Sequence, residues 1–187
     1  MNITYERLSI PDVILIRNRI FEDERGRFQE IFRKDFFTSL GIRFEPVQEN
    51  HSFSHNKWTI RGLHFQGPPA NQAKLARIVS GSLFSVAVDL RKGSPTFGKW
   101  AGATMHAGAG HQFFVPYGFA YGFCTLEQGT EIIYLSDHHY APDLEGGVRY
   151  DDPDVAIAWP LGNETVTVND RDAGFPGLSE LDSPFSV

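Results

Sequence analysis

Three side chains that can carry protons or charge lie in strand-like stretches of this 187-residue sequence. His64 lies in TIRGLHFQ, Lys74 follows ten residues later, and Tyr134 lies in EIIYLS. Each one alone has an ordinary structural explanation, as a rim histidine, a solvated lysine or a core tyrosine with a hydrogen-bonded hydroxyl. Because side chains of a sandwich strand alternate inward and outward, however, all three can be directed into the same opening. His64 is therefore a candidate metal ligand, a candidate catalytic base, or a core residue.

The neighbouring residue types disfavour a metal site. A small β-barrel that binds a divalent ion typically offers His-x-His, a nearby Glu and a later His. In this sequence those places are occupied by His64, Gln66, Lys74 and Tyr121. One good donor beside an ammonium group would not hold a cation. The sequence therefore predicts that no metal is bound.

The elements that must position these residues are predicted to be β-strands. Segments rich in β-branched and aromatic residues, separated by Gly and Pro turns, predict strands at residues 13–21, 76–91, 98–105, 111–126 and 130–140. Ser80-Gly81 stands where a tight hairpin turn would divide the second segment. Only residues 32–41 resemble a helix, which Gly41 would close. This pattern predicts one all-β domain over residues 1–187, a sandwich or barrel with a C-terminal region of loops and one short turn.

Composition and charge exclude several classes of protein. The net charge is −6 and there is no basic run, so nucleic-acid binding has no electrostatic basis. The single cysteine, Cys124, cannot form an internal disulfide, which suits a reducing compartment. The N-terminal stretch lacks the pattern of a signal peptide, and no apolar run approaches the ~18 residues of a membrane helix. These features predict a cytoplasmic protein that binds neither nucleic acid nor membranes.

Several blocks of the sequence, in order, resemble the dTDP-4-dehydrorhamnose 3,5-epimerase family, a metal-free branch of the cupins. The blocks include FEDERGRFQE, VQENHS, RGLHFQ, PYGFAYGF, YDDPDVAIAWP and NDRDAGFPGL, and the resemblance extends from Ile10 to Leu178. It implies a cupin jelly-roll β-sandwich. It also implies a nucleotide-activated 4-keto-6-deoxyhexose, dTDP-linked in this family, as a substrate that is epimerised without a cofactor. A homodimer that exchanges N-terminal strand edges is implied as well, with VILIRNRIF expected as an edge strand that the partner covers.

The resemblance assigns roles to the polar residues. His64 matches the family's base, and Lys74 matches the cation that holds the C4 oxygen as an enolate forms. Tyr134 matches the acid, which delivers a proton to the opposite face of the enolate. Asp172, in an RD pair that matches the family's KD, would orient the base, with Asp170 as the alternative. The residues expected to bind the substrate, with Arg25 and Arg61 on the diphosphate, are Phe21, Arg25, Glu30, Gln48, Asn50, Arg61, Tyr121, His139 and Tyr140.

Three departures from the family pattern lie in or near the expected pocket. Tyr121 replaces the histidine of GFAHGF, Leu135 replaces a lysine, and His139 replaces the first tyrosine of a YY pair. They leave open whether C3, C5 or both are inverted on a dTDP-4-dehydro-6-deoxyglucose type of sugar. A third alternative is a non-catalytic cupin that binds nucleotide sugars. The presence of His64, Lys74, Tyr134 and Asp172 together argues against it, because a binding protein has no use for a matched base and acid.

Overall fold

Two antiparallel β-sheets make up most of the computed structural model, which describes residues 2–187. The strands are β1 (Ile3–Arg7), β2 (Ile14–Asn18), β3 (Ile20–Asp23), β4 (Gly26–Gln29), β5 (Gln48–Ser54), β6 (Ile60–Gln66), β7 (Lys74–Ser80), β8 (Ser82–Asp89), β9 (Trp100–His106), β10 (His111–Val115), β11 (Phe119–Thr125), β12 (Thr130–Ser136) and β13 (Glu145–Gly147). The helices are α1 (Lys34–Ser39) and α2 (Asp170–Ala173). The larger sheet has the order β1-β2-β10-β7-β12-β5, and the smaller has the order β13-β6-β11-β8-β9. The predicted all-β jelly-roll sandwich is confirmed.

The main hydrophobic core lies between the two sheets. Leu15, Phe113 and Ile132 from the larger sheet pack with Ala87 and Met105 from the smaller one. Phe113 and Met105 are completely buried. Because each strand places alternate side chains on opposite faces, the inner face of each sheet is apolar. This core holds the two sheets in a fixed relation, and the polar cavity described below depends on that relation.

The predicted helix is present and covers the outer face of the larger sheet. It is shorter than the predicted 32–41, and Gly41 lies just beyond its end with a φ of +74°. Phe37 of α1 lies with its ring centroid 5.5 Å from that of Phe114 in β10 and 5.4 Å from that of Phe44. The helix therefore explains why β10 is buried on both faces. Within residues 2–187, no helix is long and apolar enough to cross a membrane.

The predicted hairpin at Ser80-Gly81 is wrong. The strands on either side of it, β7 and β8, belong to different sheets and do not pair with each other. Gly81 has a φ of +77°, and a Cβ atom there would lie 2.5 Å from Oγ1 of Thr130. A glycine is needed because the chain turns a tight corner from one sheet to the other. This corner places Lys74 on the sheet opposite the one that carries His64.

The expectation that VILIRNRIF forms an edge strand of the sandwich is also wrong. Its first part forms β2, which pairs with β1 on one side and with β10 on the other. The segment breaks at Arg19, and its end belongs to β3, which pairs only with β4 in a small separate sheet. The edge strands of the larger sheet are β1 and β5. The local sequence marks β2 as an apolar strand, but it does not show which strands pair with it.

Candidate active site

A cavity of about 370 Å³ opens between the two sheets. The smaller sheet contributes His64 from β6 and Tyr121 from β11, while the larger sheet contributes Lys74 from β7 and Tyr134 from β12. The remaining residues that line it are mostly polar: Gln48, Asn50, Ser52, Arg61, Phe65, Gln66, Gln72, Phe123, Tyr140, Glu145, Asn169, Arg171 and Asp172. The cavity thus brings together side chains from both sheets and from the C-terminal region.

A β-bulge aims two of the cavity residues in the same direction. His64 lies opposite Tyr121, but Arg61 lies opposite Phe123, so β6 has one residue more than β11 between these pairs. Residues three apart would otherwise point to opposite faces of the sheet. Gly62, with a φ of +115°, lies in the bulge, and a Cβ atom there would lie 2.7 Å from the backbone of β11. The RGLH sequence therefore places both Arg61 and His64 on the cavity wall.

His64 is held by a buried carboxylate. Its Nε2 atom lies 2.9 Å from Oδ1 of Asp172, whose Oδ2 accepts a hydrogen bond of 2.9 Å from the backbone N–H of Gly62. Burial by itself would raise the pKa of Asp172, but these two hydrogen bonds and the electrostatic attraction of His64 and Arg171 together outweigh it, and the pKa is lowered. An ionised carboxylate can only accept, so Nε2 carries the proton and Nδ1 is left with a lone pair. Asp170 is exposed, and the contact to His64 is made by Asp172.

The short helix α2 positions this carboxylate. Asn169 caps the helix, because its side-chain oxygen accepts a hydrogen bond of 2.7 Å from the backbone N–H of Asp172. The ring of Phe175, just after the helix, packs edge-on against His64 with centroids 5.6 Å apart. The ring of His64 is therefore fixed on one side by a charged partner and on another by an aromatic ring.

Lys74 and Tyr134 lie on the opposite wall in an environment that disfavours charge. Burial lowers the pKa of Lys74 from 10.5 to about 8, although the nearby carboxylate of Glu145 opposes the shift. Burial also raises the pKa of Tyr134, and Glu145 adds to this effect while Arg61 opposes it. At pH 7 the site therefore holds an ammonium group and a neutral phenol. These are a cation and a proton donor facing the imidazole.

Tyr121 forms an apolar part of the cavity floor. Its hydroxyl lies 3.3 Å from Oγ of Ser85, which is completely buried. Burial raises the pKa of Tyr121, so the phenol is neutral. Its ring lies beside those of Phe113 and Phe123. Tyr121 thus presents its ring to the cavity, whereas its hydroxyl is engaged with the core.

Two charged residues at the cavity were not identified from the sequence. Glu145 and Arg171 form an ion pair of 2.8 Å, and the hydroxyl of Tyr140 donates a hydrogen bond of 2.7 Å to the same carboxylate. Arg171 could have been noticed because it precedes Asp172 in the RD pair. Glu145 follows a single turn of 3-10 helix at Pro142–Leu144, and the local sequence gives no signal that its side chain reaches the cavity. Among residues 2–187, no three His, Cys, Asp or Glu side chains are grouped so that they could hold a metal ion.

The model of the dTDP-4-dehydrorhamnose 3,5-epimerase family matches residues 7–180. The chain belongs to this family. The Sinorhizobium fredii dTDP-4-dehydrorhamnose 3,5-epimerase is 44% identical over 97% of this chain and 92% of its own length. A Legionella pneumophila dTDP-6-deoxy-D-glucose-3,5-epimerase, solved with dTDP-4-keto-L-rhamnose, has a TM-score of 0.91 and 38% identity over 96% of this chain and 95% of its own. A 3'-monoepimerase from Streptomyces bikiniensis, solved with dTDP-quinovose, has a TM-score of 0.86 and 36% identity over 93% and 87% of the two chains.

Most of the residues that the family resemblance assigned to the substrate line the cavity. Gln48 donates a hydrogen bond of 2.9 Å from Nε2 to Oδ1 of Asn50, and its Oε1 accepts one of 2.8 Å from the backbone N–H of Tyr140. Arg61 donates to the backbone oxygen of Phe53 at 2.9 Å. These bonds hold an amide pair, a cation and an aromatic ring around the opening. The family pattern therefore located one wall of the cavity from sequence alone.

Four assigned residues of this epimerase-family chain do not reach the cavity of their own chain. Phe21 and Arg25 lie in the β3–β4 hairpin, where Arg25 pairs with Asp23. Glu30 follows this hairpin and lies 3.7 Å from Arg33. The side chain of His139 is exposed, and its contribution near the cavity is a backbone oxygen that accepts a bond of 3.0 Å from Gln66. The hairpin forms its own small sheet, so within one chain its residues are separate from the cavity.

Proposed function

We propose that this chain epimerises C3 and C5 of a dTDP-4-keto-6-deoxyhexose, converting a dTDP-4-dehydro-6-deoxyglucose type of sugar to the dTDP-4-dehydrorhamnose type without a cofactor. The observation that carries the proposal is the placement of the His64–Asp172 pair on one wall of a cavity whose other wall carries Lys74 and Tyr134. Membership of the epimerase family supports it. So does the relative from Legionella pneumophila, which was solved with dTDP-4-keto-L-rhamnose.

The reaction begins with removal of a proton from a carbon beside the C4 ketone. Nδ1 of His64 accepts the proton, and the electron pair of the broken C–H bond moves into the enolate, whose negative oxygen is stabilised by the ammonium group of Lys74. Asp172 stabilises the imidazolium that forms. Tyr134, from the other sheet, donates its proton to the opposite face of the same carbon. Proton exchange with water then resets both residues, and the second carbon follows the same course.

The decisive experiment follows solvent deuterium into the sugar ring. dTDP-4-keto-6-deoxyglucose is incubated with the protein in D2O, and deuterium at C3 and C5 is read by NMR. Label at both carbons supports the proposal, whereas label at neither would contradict it. In that case calorimetry with dTDP-4-keto-6-deoxyglucose separates the alternatives: tight binding without exchange indicates a non-catalytic nucleotide-sugar-binding cupin, and no binding indicates an enzyme that acts on another sugar.

Inversion at a single carbon is the second candidate function. It is favoured by Tyr121, whose neutral ring replaces the histidine of the family pattern beside the base. The Streptomyces bikiniensis relative is a 3'-monoepimerase with 36% identity to this chain. A bulky ring in the floor would hold the sugar in one pose and hinder the movement that presents the second carbon. The same NMR spectrum decides between the two reactions, because a monoepimerase labels one carbon only.

The chain is also proposed to act as a homodimer. Phe21 and Phe28 pair across the β3–β4 hairpin and are 38% and 70% exposed, which is unusual for large apolar side chains without a partner. In the dimer, the hairpin would bring Phe21, Arg25 and Glu30 to the cavity of the other protomer. Light scattering that gave only the 21.0 kDa protomer at micromolar concentration would contradict the dimer.

The shared site can be tested by mixing two inactive variants. His64→Asn removes the base, and Arg25→Ala removes the hairpin cation. If Arg25 acts in the other protomer's cavity, a mixed dimer contains one site with both native residues, and activity returns on refolding the two variants together. If activity does not return, Arg25 acts within its own chain or not at all.

A cytoplasmic location belongs to the same proposal. Cys124 is free and buried, so it makes no disulfide that an oxidising compartment would favour. Fractionation of cells that express the full-length protein is the test, and recovery with a secreted or membrane marker would contradict it.

A further inference from the structure

The segment of residues 137–141 passes from one sheet to the other beside the cavity. It follows β12 in the larger sheet and leads to β13 in the smaller one. It carries Tyr140, which lines the cavity and whose hydroxyl donates to Oε2 of Glu145 at 2.7 Å. The side chains of His138, His139 and Tyr140 are exposed, so they cannot hold the segment by apolar burial. Its position must depend on bonds to its backbone.

Glutamine side chains from other parts of the chain supply these bonds. Gln72, in the loop before β7, donates from Nε2 to the backbone oxygen of His138 at 2.7 Å. Gln48, in β5, accepts at Oε1 from the backbone N–H of Tyr140 at 2.8 Å. The segment has no strand partner, so these side chains satisfy backbone groups that a sheet would otherwise satisfy.

Gln66 makes the central contacts of this set, and it is only 3% exposed. Its Nε2 atom donates to the backbone oxygens of Ala70 and, at 3.0 Å, of His139. Its Oε1 atom accepts from the backbone N–H of Ala141 at 2.8 Å. Both amide hydrogens and the amide oxygen are therefore used, which neither a carboxylate nor an apolar side chain could reproduce.

We propose that Gln66 and Gln72 are positioning residues that hold Tyr140 at the mouth of the cavity. The proposal rests on the proposed function in taking a nucleotide sugar as the ligand. It also accounts for the amide at residue 66, where a metal-binding barrel would have its second histidine. In this chain the side chain at that place is committed to the backbone of the 137–141 segment.

The clamp fixes Tyr140 at both ends. Its backbone N–H is bonded to Gln48, and its hydroxyl is bonded to Glu145. A ligand that enters the cavity then meets an aromatic wall that is already in place, and binding does not have to order the segment. Without the clamp, part of the binding free energy would be consumed in closing the segment.

The kinetic test uses Gln66→Met and Gln72→Met. Methionine keeps a similar length but cannot donate to the backbone oxygens of the segment. If the segment is then closed for about one-tenth of the time, KM should rise about tenfold, because only the closed fraction binds well. The variants leave His64 and Lys74 in place, so kcat should change by less than about twofold.

Amide hydrogen exchange of Tyr140, read by NMR in the free protein, tests the position of the segment directly. This N–H is bonded to Gln48, which neither variant alters, so faster exchange reports opening of the segment as a whole. Exchange should be about tenfold faster in both variants, and an unchanged rate would overturn the proposal. Gln72 is only partly buried and makes one bond to the segment, so Gln72→Met keeps the test valid if Gln66→Met does not fold.

Tyr140→Ala separates positioning from direct contact with the substrate. If Gln66 and Gln72 act through Tyr140, adding either methionine substitution to Tyr140→Ala should raise KM by less than about twofold further. A full increase in both backgrounds would mean that the glutamines bind the substrate themselves, and the positioning role would be wrong.

Thr130→Val is the matched control. Thr130 is buried at the end of β12 away from Tyr134, its Oγ1 donates to the backbone oxygen of Glu127 at 2.8 Å, and it does not line the cavity. This variant also loses a buried bond from a side chain to a loop, so the midpoint of urea unfolding should fall. KM and the exchange of the Tyr140 amide should stay at their wild-type values. A comparable rise of both in the control would show that general loss of stability, and not the clamp, explains the glutamine variants.

The exchange measurement also separates this inference from the proposed function, because it requires neither turnover nor substrate. A wild-type chain that labelled neither C3 nor C5 would remove the proposed function. The amide exchange of Tyr140 in the glutamine variants would still support or overturn the clamp.

Discussion

Replacement of Lys74 by methionine should make the protein more stable and nearly inactive. Burial lowers the pKa of Lys74 from 10.5 to about 8, which corresponds to about 3 kcal/mol by which the folded state disfavours the ammonium form. Methionine has a similar length and no charge, so it avoids this cost. The same change removes the cation that faces the enolate oxygen, and turnover should fall by ~10²–10³-fold.

The sign of the pH dependence follows from the same shift. The folded chain holds the Lys74 proton less tightly than the unfolded chain does, so the cost is fully present below pH 8, where both states are protonated. The stability of the wild type should therefore rise between about pH 8 and 10.5. The advantage of Lys74→Met should be largest at pH 7 and should disappear as the pH approaches 10.5.

Urea unfolding at pH 7 and at pH 10 measures this difference, and deuterium exchange into the sugar measures the activity. Lys99→Met is the matched control, because Lys99 is exposed and lies outside the cavity, and it should change neither quantity. If Lys74→Met were less stable than the wild type, or if the difference between them were independent of pH, the conclusion that the buried ammonium group destabilises the folded state would be wrong. A fully active Lys74→Met variant would refute the role of the cation.

Other substitutions test the remaining parts of the site. His64→Asn should lose at least ~10²-fold in turnover with the fold intact, and near-normal ring exchange in this variant would contradict its assignment as the base. Asp172→Asn should be milder in turnover but should lose about 1–3 kcal/mol in the free energy of unfolding, because an amide cannot accept from both Gly62 and His64 through two oxygens. An unchanged midpoint of urea unfolding would count against this. Tyr121→Phe removes only the hydroxyl bonded to Ser85, so the pattern of C3 and C5 labelling should stay that of the wild type, whatever it is. A changed pattern would mean that the hydroxyl reaches the substrate. Activity should be unaffected by EDTA, and a loss that zinc or nickel restores would contradict the metal-free site.

The sequence predicted where strands and the helix occur better than it predicted which strands pair with each other. The segments rich in β-branched and aromatic residues located β2 and β7 to β12, and the FRKDFFTSLG segment located α1 and its terminating Gly41, but β1, β4, β5 and β13 lie outside the predicted strands. The chain corner at Gly81 was not predictable, because the same Ser-Gly pair suits a hairpin turn and a passage between sheets. The distinction depends on which strands pair, and pairing is decided by contacts distant in sequence. The position of β2 inside the larger sheet was not predictable for the same reason, because its own sequence does not show that it pairs with β1 on one side and β10 on the other.

The candidate site was predicted where a short motif carries its own geometry. RGLH places Arg61 and His64 on one wall, and the RD pair brings Asp172 to the base. The role of the bulge at Gly62 in aligning Arg61 with His64 could not be read from the motif alone. The exposed ring of His139 could not be predicted either, because a match in position does not reveal which way a side chain points.

The contact between His64 and Asp172 joins residues 108 positions apart. The contact therefore forms only after residue 172 has been synthesised and the segment that carries α2 has docked. Long-range contacts of this kind form late in folding. In the folded protein, the segment that bears α2 is held on both sides, by the bridge between Thr59 and Thr167 before it and by the buried ring of Phe185 after it. A single proteolytic cut just before Asn169 should therefore leave α2 docked, because Phe185 and the bridge between Lys92 and Ser186 still hold the fragment on the sandwich.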